Sequence, residues 1–154
     1  MNIAVFTKNW IGDVIFETPA IRVIKENFPA AHLIAVTPRR CVEVLETNPY
    51  VDEIITFDEK EEGQSLFSKW RLIFALRKRR IDKVFLFHRS KTRALLFKWA
   101  GIPKRLGYKT KRREHLLTDA IEEPLEPLHK MDYLLRLLEK TGIRPITQTY
   151  TFHP

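Results

Sequence analysis

From residue 2 onward, short β-rich runs alternate with amphipathic stretches, and this alternation constrains the fold more than any other feature of the chain. Strands are expected at 3–6, 33–36, 54–57, 83–87 and 105–108, and helices at about 13–27, 39–46, 65–79, 92–99 and 128–140. Strand, crossover helix, strand, repeated four times, has few topological solutions, because such crossovers are almost always right-handed. The expected fold class is α/β, with a doubly wound, mostly parallel sheet. Pro19 falls inside the first helical stretch, either as a kink or as the first helical residue behind a Thr18 cap. Lys140-Thr141-Gly142 is a helix stop, since glycine takes up the left-handed conformation that closes a helix.

The 154 residues, 44% of them hydrophobic, suffice for one globular core. No apolar run approaches the roughly 18 to 20 residues that a spanning helix needs. The first strand is followed by Lys8 and Trp10 rather than by an apolar stretch with a cleavage site, so no secretory signal and a cytoplasmic location are expected. Cys41 is the only cysteine, which excludes an internal disulfide and a CxxC centre and leaves a small buried hydrophobe. Against 19 Asp and Glu stand 27 Lys and Arg, and the net charge of +8 favours anionic partners: nucleic acid, acidic lipid headgroups or an acidic sugar. Residues 59–63 read as a polar surface loop, and the extended stretch 146–154 as the start of a linker after a domain spanning 1–145.

In sheets of this kind ligands bind outside the carboxyl ends of the strands. The first such loop is Thr7-Lys8-Asn9-Trp10-Ile11-Gly12-Asp13. It lacks the GxGxxG glycines of a dinucleotide turn. Gly12 either lets a ligand approach the backbone or satisfies a backbone angle. Asp13 stands at a helix start, where the dipole favours an anion; it is either a helix-start carboxylate or a general base for a sugar hydroxyl. Lys8 and Trp10 add a cation and a flat ring suited to a sugar face. The loops at 88–93 and 109–115 bring Arg89, Lys91, Arg93, Lys109, Lys111, Arg112 and Arg113 toward the same crevice. Arginine's planar fork suits carboxylates and phosphates.

Other features receive plainer readings. Arg77-Lys78-Arg79-Arg80 complements a helix C-terminus. Phe67, Trp70, Phe74 and Arg77 recur at helical spacing and are expected to face the core rather than a membrane. His32, His129 and His153 are given no functional role. HExxH, GxSxG, Walker A and DxD sequences are absent, so no metal and no cofactor are expected.

The ordered set Asn2-Ile3-Ala4-Val5, Asn9-Trp10-Ile11-Gly12-Asp13-Val14, Thr18-Pro19-Ala20-Ile21-Arg22, Phe28-Pro29, Asn48-Pro49-Tyr50-Val51-Asp52-Glu53 and Gly101-Ile102-Pro103-Lys104-Arg105-Leu106-Gly107-Tyr108 resembles the N-terminal half of ADP-heptose:lipopolysaccharide heptosyltransferases, family 9 glycosyltransferases. His129, ahead of a Leu-rich helix ending in Gly142, continues the likeness. The Asn-Trp-Ile-Gly-Asp form of the first loop is more similar to the second heptosyltransferase type. The resemblance implies a Rossmann-like N-terminal domain of a two-domain GT-B enzyme that binds the lipopolysaccharide inner-core acceptor. ADP-heptose would be held mainly by a C-terminal domain, so that this span alone is inactive. It also implies an inverting, metal-independent transfer with Asp13 as base, and acceptor contacts from Arg89, Lys91, Arg93, Lys109, Lys111 and Arg113, to which the first loop's own chemistry adds Lys8, Trp10 and Gly12 as expected acceptor-binding residues.

The net charge of +8 suits peripheral contact with an anionic membrane surface. A related glycosyltransferase for another acidic glycan is the nearest alternative. A nucleic-acid module is disfavoured, because no helix-turn-helix, zinc finger or RRM signature is present and Asp13 would repel phosphate. A non-catalytic adaptor is a third reading, and the interdomain surface is a candidate for homodimer contact.

Overall fold

The structure, a computed structural model, describes residues 1–58, 66–110 and 112–145. The expected loop at 59–63, Lys111 and the expected linker at 146–154 lie outside the described residues. The elements run β1 (Asn2–Phe6), α1 (Ile11–Asn27), β2 (His32–Thr37), a 3-10 turn (Arg39–Cys41), α2 (Val42–Glu46), β3 (Glu53–Thr56), α3 (Leu66–Lys78), β4 (Lys83–Leu86), α4 (Lys91–Trp99), β5 (Lys104–Tyr108), a second 3-10 turn (Glu114–Leu116), β6 (Asp119–Ile121) and α5 (Lys130–Lys140). The six strands form one sheet in the order β3-β2-β1-β4-β5-β6. Every pairing is parallel, with Val5 of β1 opposite Ala35 of β2 on one side and Phe85 of β4 on the other.

Alternation along the strands divides the core in two. Ile3 and Val5 face a layer built from α1, α5 and the start of α2, with Ile21, Ile24, Cys41, Leu134 and Leu138. Ala4 and Phe6 face the opposite layer, built from α3 and α4 with Leu72, Ile73, Leu76 and Phe97. Both faces of the sheet are covered, as an all-parallel sheet requires. Cys41 is fully buried, as expected.

α1 passes through Pro19 without ending. Proline has no N–H for the carbonyl of Ile15, and the Thr18 hydroxyl donates to that carbonyl instead, at 2.8 Å. Gly142 closes α5 at φ +85, with its N–H donating to Glu139 and that of Ile143 donating to Leu138. One expectation is overturned. Phe67 (73% exposed), Trp70 (48%) and Phe74 (61%) do not face the core, because Leu72, Ile73 and Leu76 already fill the sheet side of α3. Among the described residues no helix is long and apolar enough to cross a membrane.

Candidate functional site

The strand order reverses between β1 and β4: the chain builds outward to β2 and β3, then returns to the other side of β1. The loops after β1 and β4 part at that point, and a crevice opens there. A cleft of about 250 Å³ occupies it, lined by Lys8, Asn9, Trp10, Asp13, His88 and Arg89. Of the expected residues, Lys8, Trp10 and Asp13 of the first loop and Arg89 of the loop after β4 are thus brought to one place.

The first loop is held from several sides. The Thr7 hydroxyl donates to that of Thr37 at 2.8 Å. The Lys8 N–H donates to Glu17 Oε1 at 3.0 Å, and Asn9 Oδ1 accepts from Arg93 Nη2 at 2.7 Å. The Trp10 ring, 64% exposed, has the Arg40 guanidinium 5.4 Å from its centroid. Trp10 gives α1 no side-chain cap, so the first-turn N–H groups of the helix lie open beside the cleft. Gly12 does not have a positive φ, and a Cβ built on it would meet no atom within 4 Å. The fold therefore makes no demand for glycine at this position, and the bare backbone leaves room at the helix start.

Asp13 lies in the first turn of α1 with its side chain 16% exposed, and Oδ1 meets Lys130 Nζ of α5 at 2.5 Å. Lys130 also sits 5.9 Å from the Phe16 ring centroid, and the His129 ring packs edge-on against Phe16 at 5.0 Å. One turn further along α1, Glu17 is completely buried, and burial is the main cause that raises its pKa to about 8. At neutral pH the Glu17 carboxyl is largely neutral beneath the loop. Sequence reasoning missed both Glu17 and Lys130. Glu17 falls at helical spacing from Asp13 and was legible in principle; nothing in the sequence brings Lys130 to that carboxylate.

The basic residues divide into three groups. Arg89, 60% exposed, lines the cleft and pairs with Glu123 at 3.0 Å. It also borders a larger hollow of about 710 Å³, lined by Lys109, Thr110, Glu114, Glu122, Glu123 and Leu125. In that hollow Lys109 is bonded to Glu122 at 2.8 Å, and the pairing raises the lysine pKa. Lys91 stands exposed at the start of α4. Arg93 and Arg113, by contrast, are buried rather than presented to solvent. The Arg93 guanidinium lies 4.7 Å from the Phe6 ring centroid while it holds Asn9. Arg113 donates from Nη1 to the His88 carbonyl, and its Nε and Nη2 have no hydrogen-bond partner among the described residues. Burial pushes its pKa down to about 10, and Gly107 is the residue whose missing side chain makes room for it. Glu122 and Glu123, which neutralise the expected acceptor cations, were not anticipated, because β6 ahead of them was not. Among the described residues no group of three or more His, Cys, Asp or Glu side chains is placed to hold a metal ion.

An all-parallel sheet in this order defines a Rossmann-like domain, with a cleft at the point of reversal, where sheets of this kind bind ligands. No protein-family model matches the chain. Over 146 residues, 94% of its length, the chain is 28% identical to lipopolysaccharide heptosyltransferase 2 of Salmonella typhimurium. Among solved structures it is similar to ADP-heptose lps heptosyltransferase II of E. coli, with a TM-score of 0.77, 26% identity and 99% of this chain covered. A family 9 glycosyl transferase of Veillonella parvula shares the fold, with a TM-score of 0.83, 24% identity and 92% of this chain covered. The resemblance drawn from the sequence is borne out: the chain is similar to lipopolysaccharide heptosyltransferases, and to the second type among them. It spans 42% of the length of the curated relative and 45% and 42% of the two solved chains.

Proposed function

We propose that this span, residues 1–145 in particular, is the acceptor-binding half of a heptosyltransferase-like glycosyltransferase and that Asp13 is its general base. The observation that supports this most is the position of Asp13: a partly exposed carboxylate lining the switch-point cleft, in a chain similar to heptosyltransferases along nearly all its length. The acceptor is an anionic sugar of the lipopolysaccharide inner core and the donor is ADP-heptose, held mainly by a second domain, on the cytoplasmic side of the membrane.

In this reading an acceptor hydroxyl enters the cleft between Trp10, Asp13 and Arg89. Asp13 Oδ1 is freed from Lys130, whose side chain is 54% exposed and able to swing into solvent, and takes the hydroxyl proton as the oxygen attacks the anomeric carbon. The bond from that carbon to the ADP oxygen breaks, configuration inverts, and ADP leaves with the electron pair. The transfer needs no metal. Trp10 stacks on the sugar, Gly12 and the open first turn of α1 face it, and Lys8 and Arg89 hold its anionic groups. Lys91 and Lys109 extend the basic surface, whereas Arg93 and Arg113 position the two loops from beneath.

Asp13→Asn tests the assignment. Supplied with the donor-binding half of a relative, the substituted span is expected to bind an inner-core oligosaccharide as before and to lose transfer by a factor of about 10²–10⁴, the usual contribution of a general base. Unchanged transfer would refute the role; loss of the fold, read by circular dichroism, would make Asp13 structural.

A further inference from the structure

The outward sides of α3 and α4 carry an exposed apolar surface. Leu66 is 75% exposed, Phe67 73%, Phe74 61%, Trp99 51% and Trp70 48%. The Trp70 and Phe74 rings lie 6.3 Å apart, and Arg77 donates to the Trp99 carbonyl at 2.7 Å, which ties the last turn of α3 to the end of α4. The core-facing sides are already taken by Leu72, Ile73 and Leu76 in α3 and by Leu96 and Phe97 in α4. These aromatic rings are therefore not waiting for a place in the fold. A monomeric domain rarely exposes so many large apolar side chains on one face without a use for them.

Charge indicates what covers that face. Lys69, Arg71, Arg77 and Lys78 lie in α3, Lys91 and Lys98 lie in α4, and neither helix contains an Asp or Glu. A second copy presenting the same face across a two-fold axis would set cations against cations. An anionic bilayer meets both properties at once: aromatic rings settle at headgroup depth, and the basic side chains reach lipid phosphates while their stems stay on apolar ground.

We propose that the exposed α3–α4 face docks the protein on an anionic lipid bilayer. Apolar insertion and a basic rim together supply the two signals that stable peripheral binding requires. The orientation follows from the topology. α4 starts at the loop after β4, and α3 ends just before β4 begins, so both helices start at the edge of the sheet where the cleft opens. Leu66, Phe67 and Lys91 in the first turns bring the lipid surface beside the cleft mouth. The inference rests on this face alone and stands whether or not the cleft binds a core sugar.

Co-sedimentation of the full chain with vesicles free of any glycan tests it. The wild-type chain is expected to bind vesicles of equimolar phosphatidylcholine and phosphatidylglycerol, to leave pure phosphatidylcholine largely unbound, and to dissociate as salt rises. Trp70→Ser with Phe74→Ser, and separately Arg77→Glu with Lys78→Glu, should each lower partitioning at least roughly tenfold with circular dichroism unchanged. All four positions are exposed, so the fold should survive the substitutions. Absence of binding to anionic vesicles, or binding that neither variant weakens, would overturn the proposal. So would sedimentation showing that the wild-type chain self-associates and that the aromatic variant does not, which would assign the face to a second copy.

Discussion

Gly12 and Glu17 separate demands of the fold from demands of the site. Because Gly12 occupies an ordinary helical conformation with empty space around it, Gly12→Ala should leave stability unchanged or raise it by up to about 1 kcal/mol. Denaturant titration checks that arm. The same methyl group would intrude on a ligand lying over the helix start, so acceptor binding should weaken severalfold; unchanged affinity would mean that the ligand does not approach there. Glu17 makes the opposite kind of prediction. Its folded pKa of about 8 lies above the 4.5 of an exposed glutamate, so the folded state binds the extra proton. The corresponding stability is fully present below about 4.5 and is lost as pH rises through about 8. Glu17→Gln keeps an acceptor for the Lys8 N–H without the burial penalty. Thermal melts should show the two proteins diverging as pH rises from 5 to 9, the variant being the more stable at the alkaline end by on the order of a few kcal/mol. Parallel curves would show that the buried carboxyl does not titrate in this range. Asp13 was legible in the sequence from its place at a helix start after a strand, but its partner was not. Lys130 arrives from the far end of the chain by packing of α5 on α1, and no local pattern encodes that meeting.

At the scale of elements, the five expected strands and five expected helices all occur, because apolar runs and helical spacing are local signals. β6 was not legible. It has three residues, Asp119, Ala120 and Ile121, none of them buried, and exists because the edge of β5 offers it hydrogen-bonding partners. Missing β6 also hid Glu122 and Glu123, which neutralise Lys109 and Arg89. α3 was read correctly as a helix but with the wrong side inward. Leu72, Ile73 and Leu76 share one stripe and Phe67, Trp70 and Phe74 another; both have helical spacing, and periodicity alone does not choose between them. Arg93 was similarly legible as a cation near the crevice but not as a buried strut. If α4 holds the first loop through that guanidinium, Asn9→Ala should cost about 1–3 kcal/mol in urea unfolding, because a hydrogen bond from a buried charged donor is removed. Asn9→Asp, which keeps the acceptor, should cost far less. Equal losses in both variants would place the strut elsewhere.

For the molecule as a whole, topology converts two separated loops into one site. The order β3-β2-β1-β4-β5-β6 sets the loop after β1 beside the loop after β4, although α2, α3 and two strands lie between them in sequence, and Lys130 reaches Asp13 from α5, further along the chain still. The same topology leaves a basic, aromatic face adjoining the cleft mouth. What enters that cleft decides the function of the domain. An NMR titration of the chain with a soluble phosphorylated inner-core oligosaccharide, beside a short DNA duplex at equal ionic strength, addresses this most directly. Shifts concentrated at residues 8–13 and 88–93, with 109–115 following and DNA producing only diffuse, weaker changes, are the predicted result. No response to the oligosaccharide, or a stronger and equally localised response to DNA, would contradict the acceptor reading and leave the fold without its proposed ligand.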